Sequence, residues 1–412
     1  MLFQDHANQE ESVKSGTEYR GALVSLCVLY LTMGFITSLN DTLVPFFKNK
    51  FSLSYSESSL VQFYFFLTYG LVSIPAGKMI ERVGYKKGMV TGFLIAAMGA
   101  FLFLPAAFLQ LYSVFLAALF VLAIGIVLLQ VAANPYITLL GSPKTASSRL
   151  TFIQGLGSVG TTVAPVFGAY FLLSSKQNTS LSLKSVSYTY LVITILLVLV
   201  SLYVQRANLP VSGAKDKESK TLSSDRQAVK GLFSFRNLYF GVLAIFFYVG
   251  AEVSIGSYLT NYISDTVLTS ERNANMYVAF YWGFMLIGRF LGALLLKKMK
   301  PSVLLSINAF AAIVLLSLSI NSVGYFSIWS LIAVGFANSV MFAVIFSLSV
   351  NGVGSYAARA SGLLSMAIVG GSLITFVMGI IKDNFSWQIA FIVPLVCYIY
   401  ILFFGLSGYK PK

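Results

Sequence analysis

Charged residues are scarce in this chain of 412 residues. Only 10% of its residues are Asp, Glu, Lys or Arg, whereas 57% are hydrophobic. A soluble domain carries about 25% charged residues. A long chain with so little charge cannot cover itself with a surface that water solvates, which excludes an ordinary soluble fold. We therefore expect an all-α membrane protein whose solvent is lipid.

Histidine and cysteine are almost absent. The one histidine, His6, lies in a polar N-terminal stretch, which excludes a histidine proton relay inside the membrane. The two cysteines, Cys27 and Cys397, lie in apolar runs and provide neither a disulfide framework nor a metal site. The chain also lacks a glycine-rich phosphate loop and a nucleophile–base pair. We accordingly expect no enzyme activity, no cofactor, no metal and no nucleotide-driven pumping.

Long apolar runs make up most of the chain. A helix needs roughly 20 apolar residues to cross a hydrocarbon core of about 30 Å. Twelve runs meet this requirement, which predicts twelve transmembrane helices. They cover approximately residues 21–46, 58–79, 88–109, 112–139, 150–174, 187–205, 236–262, 275–296, 301–321, 325–349, 358–381 and 386–408.

The positions of the basic residues predict how these spans are oriented. If the N-terminus is cytoplasmic, 21 of the 28 lysines and arginines fall in inner tails and loops, and only 6 fall in outer loops. The positive-inside rule then places both termini in the cytoplasm, in a multi-pass protein of the cell (inner) membrane. The net charge is +14, and because the Lys and Arg residues lie between apolar runs, we interpret them as topology signals. No face suited to nucleic acid is evident.

A polar loop at residues 206–234 separates six spans from six. Arg149 and Arg359 each open a span, and Gly160 and Gly370 follow at the same offset in both halves. We therefore predict two pseudo-symmetric six-helix bundles related by a parallel repeat. The predicted segments are a cytoplasmic N-terminal tail (1–20), an N-terminal bundle (21–205), a cytoplasmic linker (206–234), a C-terminal bundle (235–408) and a cytoplasmic C-terminal tail (409–412).

Three ionisable residues fall within predicted spans, namely Asp41, Glu252 and Arg289. A charge at mid-membrane costs about 2.5–3.5 kcal/mol on insertion scales, so each one indicates a polar interior or a charged partner. Asp41 is a candidate for binding a coupling ion or a substrate hydroxyl; alternatively it is a structural carboxylate capped by polar neighbours. Glu252 is a candidate for substrate or cation binding, or forms an ion pair with Arg289. We expect a gating or structural role for Arg289.

Side-chain amides also occur inside the spans. Gln130 and Asn134, in LLQVAANPYITLLG (128–141), are four residues apart and share a helix face. An amide both donates and accepts hydrogen bonds, which suits a polyhydroxylated ligand. Hydrogen bonding between helices is the alternative for each amide. Further candidates for the same binding site are Gln62, Gln154, Asn338 and, for stacking on the apolar face of a sugar, Tyr281.

Five segments resemble a known family. LNDTLVPFF, LLQVAANPYITLLG, QGLGSVGTTVAPVFG and AIFFYVGAEVSIGSYLTNYI resemble the fucose/glucose–galactose permease family of sugar–cation symporters, and the likeness runs from about residue 25 to 400. GKMIERVGYKK (77–87) resembles the cytoplasmic signature of the major facilitator superfamily, to which that family belongs. The signature implies gating or structural roles for Glu81, Arg82 and Gly84.

The resemblance implies a major facilitator fold with a central cavity and alternating access. Asp41 matches the family's first-helix carboxylate, Gln154 matches its fifth-helix glutamine in the sugar site, and Asn134 falls in its Asn-Pro-Tyr element. Fucose permeases carry a glutamate where this chain has Gln130, and glutamine cannot take up and release a proton. The glucose–galactose branch, to which this chain looks closer, also has glutamine there. The coupling ion therefore stays open between H⁺ and Na⁺.

We expect a secondary active transporter that imports a monosaccharide of the glucose/galactose, fucose or N-acetylglucosamine type by symport with H⁺ or Na⁺. It would work as a functional monomer in membrane lipid. Asp41, Gln130, Asn134 and Gln154 would bind the sugar, and Asp41 or Glu252 the cation. Two alternatives stay open: a proton-coupled exporter of amphipathic small molecules, which would favour a larger and more apolar cavity, and a non-transporting membrane sugar sensor.

Overall fold

A computed structural model describes residues 21–39, 47, 50–52, 55–171, 179–207, 209, 231–232, 234–269 and 271–410. The predicted tail 1–20, Asp41, most of the predicted linker 206–234 and residues 411–412 lie outside these ranges. Twelve long helices fill the described part of the chain. They are α1 (Gly21–Leu39), α2 (Tyr55–Val83), α3 (Tyr85–Leu109), α4 (Tyr112–Leu139), α5 (Ala146–Phe171), α6 (Thr179–Arg206), α7 (Arg236–Val267), α8 (Glu271–Leu295), α9 (Pro301–Ile320), α10 (Gly324–Ser349), α11 (Gly354–Asn384) and α12 (Trp387–Gly408).

Each predicted span corresponds to one of these helices, so the expected all-α membrane fold is confirmed. Among the described residues, eleven of the helices are long and apolar enough to cross a membrane by length and composition. The remaining helix, α5, has the sequence ASSRLTFIQGLGSVGTTVAPVFGAYF, in which Gly, Ser, Thr and Gln dilute the apolar residues. This helix also supplies several polar groups to the interior.

The outer helices present apolar side chains outward. In α9, Val303, Ile307, Phe310 and Val314 recur every three or four residues and are all exposed. A soluble protein rarely exposes a continuous apolar stripe of this length. In a lipid bilayer the same stripe faces acyl chains, and the backbone polar groups are satisfied within the helix.

The repeat predicted from sequence has a structural counterpart in both halves. A Cβ atom on Gly160 of α5 would collide with the main-chain oxygen of Leu31 in α1. A Cβ atom on Gly370 of α11 would collide in the same way with the main-chain oxygen of Phe246 in α7. Because α5 corresponds to α11 and α1 to α7 under a six-helix repeat, the two glycines allow the same close helix contact in each half. This matches two pseudo-symmetric bundles, whose limits at 21–205 and 235–408 stay a prediction.

The two halves are joined by hydrogen bonds near one end of the molecule. At this end the odd-numbered helices begin and the even-numbered helices finish, and we call it the basic end. It carries Lys86 and Lys87 in the first turn of α3 and Lys297, Lys298 and Lys300 in the loop between α8 and α9. The contacts between the halves there are Ser147 Oγ with Ser347 Oγ (2.5 Å), Ser148 Oγ with Ala293 O (2.6 Å), Ser361 Oγ with Val131 O (2.9 Å) and Arg359 Nε with Glu81 Oε2 (2.5 Å).

One of these contacts depends on a proline inside α4. Pro135 lies within the helix and has no N–H to donate to the main-chain oxygen of Val131, four residues earlier. That oxygen instead accepts a hydrogen bond from the hydroxyl of Ser361 in α11, whose side chain is fully buried. A backbone irregularity in one half therefore provides the acceptor for a bond to the other half.

The three residues that the signature motif singled out lie at the junction of α2 and α3, with Glu81 and Arg82 in the last turn of α2. Gly84 links the two helices with φ of 86°, a left-handed conformation that glycine adopts without steric cost. Glu81 forms the ion pair with Arg359 of α11, whereas Arg82 is exposed. The motif thus combines a tight turn with a contact between the halves, which fits the predicted gating or structural role.

Candidate functional site

A cavity of about 240 Å³ lies between the two halves. A single water molecule needs only roughly 10–15 Å³, so the cavity has room for a much larger ligand. Its lining residues are Tyr30, Met33, Gly34 and Thr37 of α1; Phe65 and Tyr69 of α2; Gln130 and Asn134 of α4; Gln154, Gly157, Ser158 and Thr161 of α5; and Val249, Glu252, Arg289, Phe342 and Ile368 of the second half.

The cavity lining of α1 and α5 follows the period of a helix. In α5, Gln154, Gly157, Ser158 and Thr161 are spaced at i, i+3, i+4 and i+7, so they lie on one face. Residues 30, 33, 34 and 37 of α1 follow the same spacing. Of these eight residues, only Gln154 was predicted. The missed residues could have been found by extending the polar stripe one turn at a time from Gln154 and from Asp41.

The two amides of α4 both line the cavity but differ in their hydrogen bonding to the protein. Asn134 is buried, and its Oδ1 accepts a hydrogen bond from the hydroxyl of Tyr30 in α1. Gln130 is half-buried, and its side chain makes no hydrogen bond to another described residue. Asn134 therefore ties α4 to α1 beside the cavity, and Gln130 presents an amide to whatever fills the cavity.

Gln154 of α5 both contacts a neighbouring helix through its main chain and presents its side-chain amide to the cavity. Its main-chain oxygen accepts hydrogen bonds from Ser158 Oγ (3.1 Å) and from Arg289 Nη1 (3.5 Å). Within the described part of the chain its side-chain amide has no hydrogen-bond partner, and it lines the cavity. Gln130 and Gln154 thus place two amides without a described hydrogen-bond partner on the walls of the same cavity, each able to donate and to accept.

Among the described residues, Glu252 and Arg289 are the only formally charged side chains in this lining. Glu252 lies in α7 and Arg289 in α8, and their nearest side-chain atoms, Oε1 and Nη2, are 3.9 Å apart. Nη1 of Arg289 also donates to the hydroxyl of Ser158 in the opposite half. Glu252 lines the cavity, as substrate or cation binding requires, and it also neighbours Arg289, as an ion pair requires. Both interpretations of Glu252 are therefore compatible with its position.

Three predicted binding residues lie away from the cavity. Gln62 is on an exposed part of α2, and Asn338 and Tyr281 are fully buried behind Glu252. Asn338 Nδ2 donates to the Tyr281 hydroxyl (2.9 Å), which donates to the main-chain oxygen of Glu252 (3.2 Å). The hydroxyl of Tyr398 completes this network by donating to Asn338 Oδ1 (2.8 Å). In this conformation Asn338 and Tyr281 support α7 and do not face the cavity.

A polar cavity between two pseudo-equivalent six-helix halves, with the halves bonded together at one end, is the architecture of a secondary transporter that works by alternating access. The predicted residues that the structure brings together there are Gln130, Asn134, Gln154, Glu252 and Arg289. The position of Asp41 lies outside the described residues.

Comparison with known proteins identifies the family. The family model of the Major Facilitator Superfamily matches residues 26–375. The chain is 43% identical to a glucose/galactose transporter of Brucella abortus over 400 residues, which cover 96% of both proteins. It is 30% identical to the L-fucose-proton symporter of Escherichia coli over 400 residues, covering 92% of this chain and 91% of that protein. The crystal structure of the transporter FucP in the outward conformation matches with a TM-score of 0.88 and 30% identity, covering 95% of this chain and 99% of that one.

The chain therefore belongs to the fucose/glucose–galactose permease family of the major facilitator superfamily. The resemblance found in the sequence is confirmed.

Proposed function

We propose that this protein imports a monosaccharide by symport with H⁺ or Na⁺ through alternating access. The observation that carries the proposal is the pair of amides, Gln130 and Gln154, that line a cavity between two carrier halves and have no hydrogen-bond partner among the described residues. The family relatives support the same function, since they are named as transporters of glucose, galactose or fucose.

The composition of the cavity wall favours a sugar over a charged or wholly apolar solute. Amides match hydroxyl groups because both donate and accept hydrogen bonds. The rings of Tyr30, Phe65, Tyr69 and Phe342 offer apolar surface for the carbon–hydrogen face of a pyranose. Gln130, Asn134 and Gln154, with Asp41, are the proposed binding groups.

Cation coupling is assigned to Asp41 or Glu252, the two carboxylates within the spans. Neutralising a buried carboxylate lowers the cost of occluding it from water, so the fully loaded carrier reorients more readily than the half-loaded one. Gln130 cannot contribute, because an amide does not bind and release a proton.

The positive-inside rule places the basic end in the cytoplasm of the cell that carries this protein in its inner membrane. With the halves bonded together at that end, the conformation described above is closed toward the cytoplasm and corresponds to the state that receives sugar from outside. Both termini then lie in the cytoplasm, and one chain supplies every described residue of the cavity lining, which suits a functional monomer.

Transport assays in reconstituted vesicles test the proposal. A panel of labelled glucose, galactose, fucose and N-acetylglucosamine is offered under an imposed pH gradient, an imposed Na⁺ gradient or neither. We expect accumulation of at least one sugar that depends on one gradient, and its loss in Asp41→Asn with retained sugar exchange. Binding without exchange would support a sensor instead, and efflux of amphipathic compounds driven by protons would support an exporter.

A further inference from the structure

Arg289 is bonded to the half of the protein to which it does not belong. Its Nη1 atom donates to the Ser158 hydroxyl and reaches the main-chain oxygen of Gln154 at 3.5 Å, and both acceptors lie on α5. Its Nη2 atom is 3.9 Å from the carboxylate of Glu252, which lies in the same half as Arg289. A hydrogen-bonded pair of this type normally has an N–O distance of about 2.7–2.9 Å, so the contact with Glu252 is loose.

The guanidinium group is also incompletely satisfied. Among the described residues, its buried Nε atom has no hydrogen-bond partner, and Nη2 otherwise contacts only the sulfur of Met285 at 3.3 Å. Buried polar groups in native proteins are nearly always paired, and a cation without full pairing is costly in a membrane protein. This arrangement suits a group that must exchange partners when the halves move.

The surroundings fix Glu252 more firmly than they fix Arg289. The buried network of Asn338, Tyr281 and Tyr398 binds the main-chain oxygen of Glu252 and holds α7 in place. Arg289 has a long side chain, one contact on its own helix and two contacts across the interface. When the halves separate, the contacts with α5 are lost and Glu252 is the neighbouring acceptor that remains.

We propose that Arg289 is a positioning residue that holds Ser158 and Gln154 at the cavity from the opposite half, and that Glu252 competes for the same guanidinium when the basic end opens. Sugar binding at α5 and closure of the basic end would then depend on one side chain. The connection to the sugar rests on the proposed function, whereas the exchange of partners does not.

The test measures how often the basic end opens, without sugar or gradient. Ser147 is 4% exposed and its hydroxyl is bonded to Ser347 of the other half, so a thiol introduced by Ser147→Cys is protected while that end is closed. With Cys27→Ala and Cys397→Ala to remove the native thiols, the rate of alkylation by a maleimide reports the open fraction. This background is the reference for all further substitutions.

The proposal predicts changes of opposite sign. Ser158→Ala removes a charge-assisted bond that exists only in the closed state, so alkylation should accelerate about 13- to 150-fold. Glu252→Gln removes the competing acceptor, so alkylation should slow. Thr162→Ala is the matched control, since the exposed Thr162 lies on the same helix and its hydroxyl bonds, among the described residues, to the main-chain oxygen of Ser158 alone (2.8 Å). Its rate should equal that of the reference.

The proposal is overturned if Ser158→Ala behaves like Thr162→Ala, or if Ser158→Ala and Glu252→Gln change the rate in the same direction. Should Glu252→Gln fail to fold, Arg289→Lys provides a second test. Lysine cannot bridge two acceptors with a fork of donors, so its effect and that of Ser158→Ala should not add. Additive effects would show that Ser158 and Arg289 act independently. The alkylation assay contains no sugar, so a negative result there would not count against sugar transport. Equally, a negative result in the transport assay would not count against the exchange of partners by Arg289.

Discussion

The hydrogen bond between Ser361 and Val131 allows a quantitative test of how the halves are held together. The main-chain oxygen of Val131 lacks its usual helical donor because residue 135 is proline, and the hydroxyl of Ser361 replaces that donor at 2.9 Å. In Ser361→Ala the oxygen stays buried without a partner whenever the halves are closed, but water can reach it when they separate.

The expected magnitude follows from this difference between the two states. A buried acceptor left unpaired costs about 1–3 kcal/mol, which corresponds to a roughly 5- to 150-fold increase in the open fraction. In Pro135→Ala the main-chain N–H of the new alanine can bond to Val131 within α4. Adding Ser361→Ala to that variant should then increase opening only about twofold, since one weak bond is lost and no acceptor is orphaned.

The alkylation of the Ser147→Cys thiol measures all four combinations of the two substitutions. Ser372→Ala is the control, because Ser372 also lies on α11 but its hydroxyl bonds to Val369 of its own helix (3.0 Å). Equal effects of Ser361→Ala with proline and with alanine at position 135 would refute the reasoning, since the two sites would then be uncoupled.

Three further predictions concern the cavity and the basic end. Gln130→Leu should weaken sugar binding about 2- to 13-fold per lost hydrogen bond, measured by calorimetry. The melting temperature in detergent should not change, because the Gln130 amide has no described protein partner. Tyr30→Phe should instead destabilise the fold by about 1–3 kcal/mol, because the buried side-chain oxygen of Asn134 loses its hydrogen-bond donor. The melting temperature should therefore fall, and an unchanged value would contradict the hydrogen bond between Tyr30 and Asn134. Glu81→Gln should change the alkylation rate less than about fivefold, because its ion pair with Arg359 is partly exposed to solvent; a larger change would mean that this pair is a principal closing contact.

Parts of the site were predictable from sequence because polar residues are conspicuous among apolar ones. Gln130, Gln154, Glu252 and Arg289 each interrupt an apolar span, and all four line the cavity. The same criterion also selected Asn338, which is equally polar but pairs with buried tyrosines instead of facing the cavity. Polarity inside a span thus indicates a buried partner, but it does not reveal whether that partner is a side chain or a ligand.

The aromatic and small lining residues were not predictable in the same way. With aromatic residues at 15% of the chain, nothing in the sequence separates Tyr30 or Tyr69 from rings that face lipid. Likewise Ser158 resembles the many serines that bond to their own helix, and its bond to Arg289 exists only because α5 and α8 meet.

The sequence by itself determined the lipid environment, the number of helices and the repeat of six helices in each half. These features depend on hydropathy, charge position and local spacing along the chain. Proline at position 135 likewise determined that one carbonyl would need an external donor. Only the tertiary structure decided that Ser361 supplies this donor, that Arg289 bonds across the interface and that Asn338 turns inward. The physical reason is that these contacts join residues far apart in the chain, and helix packing selects which polar groups meet.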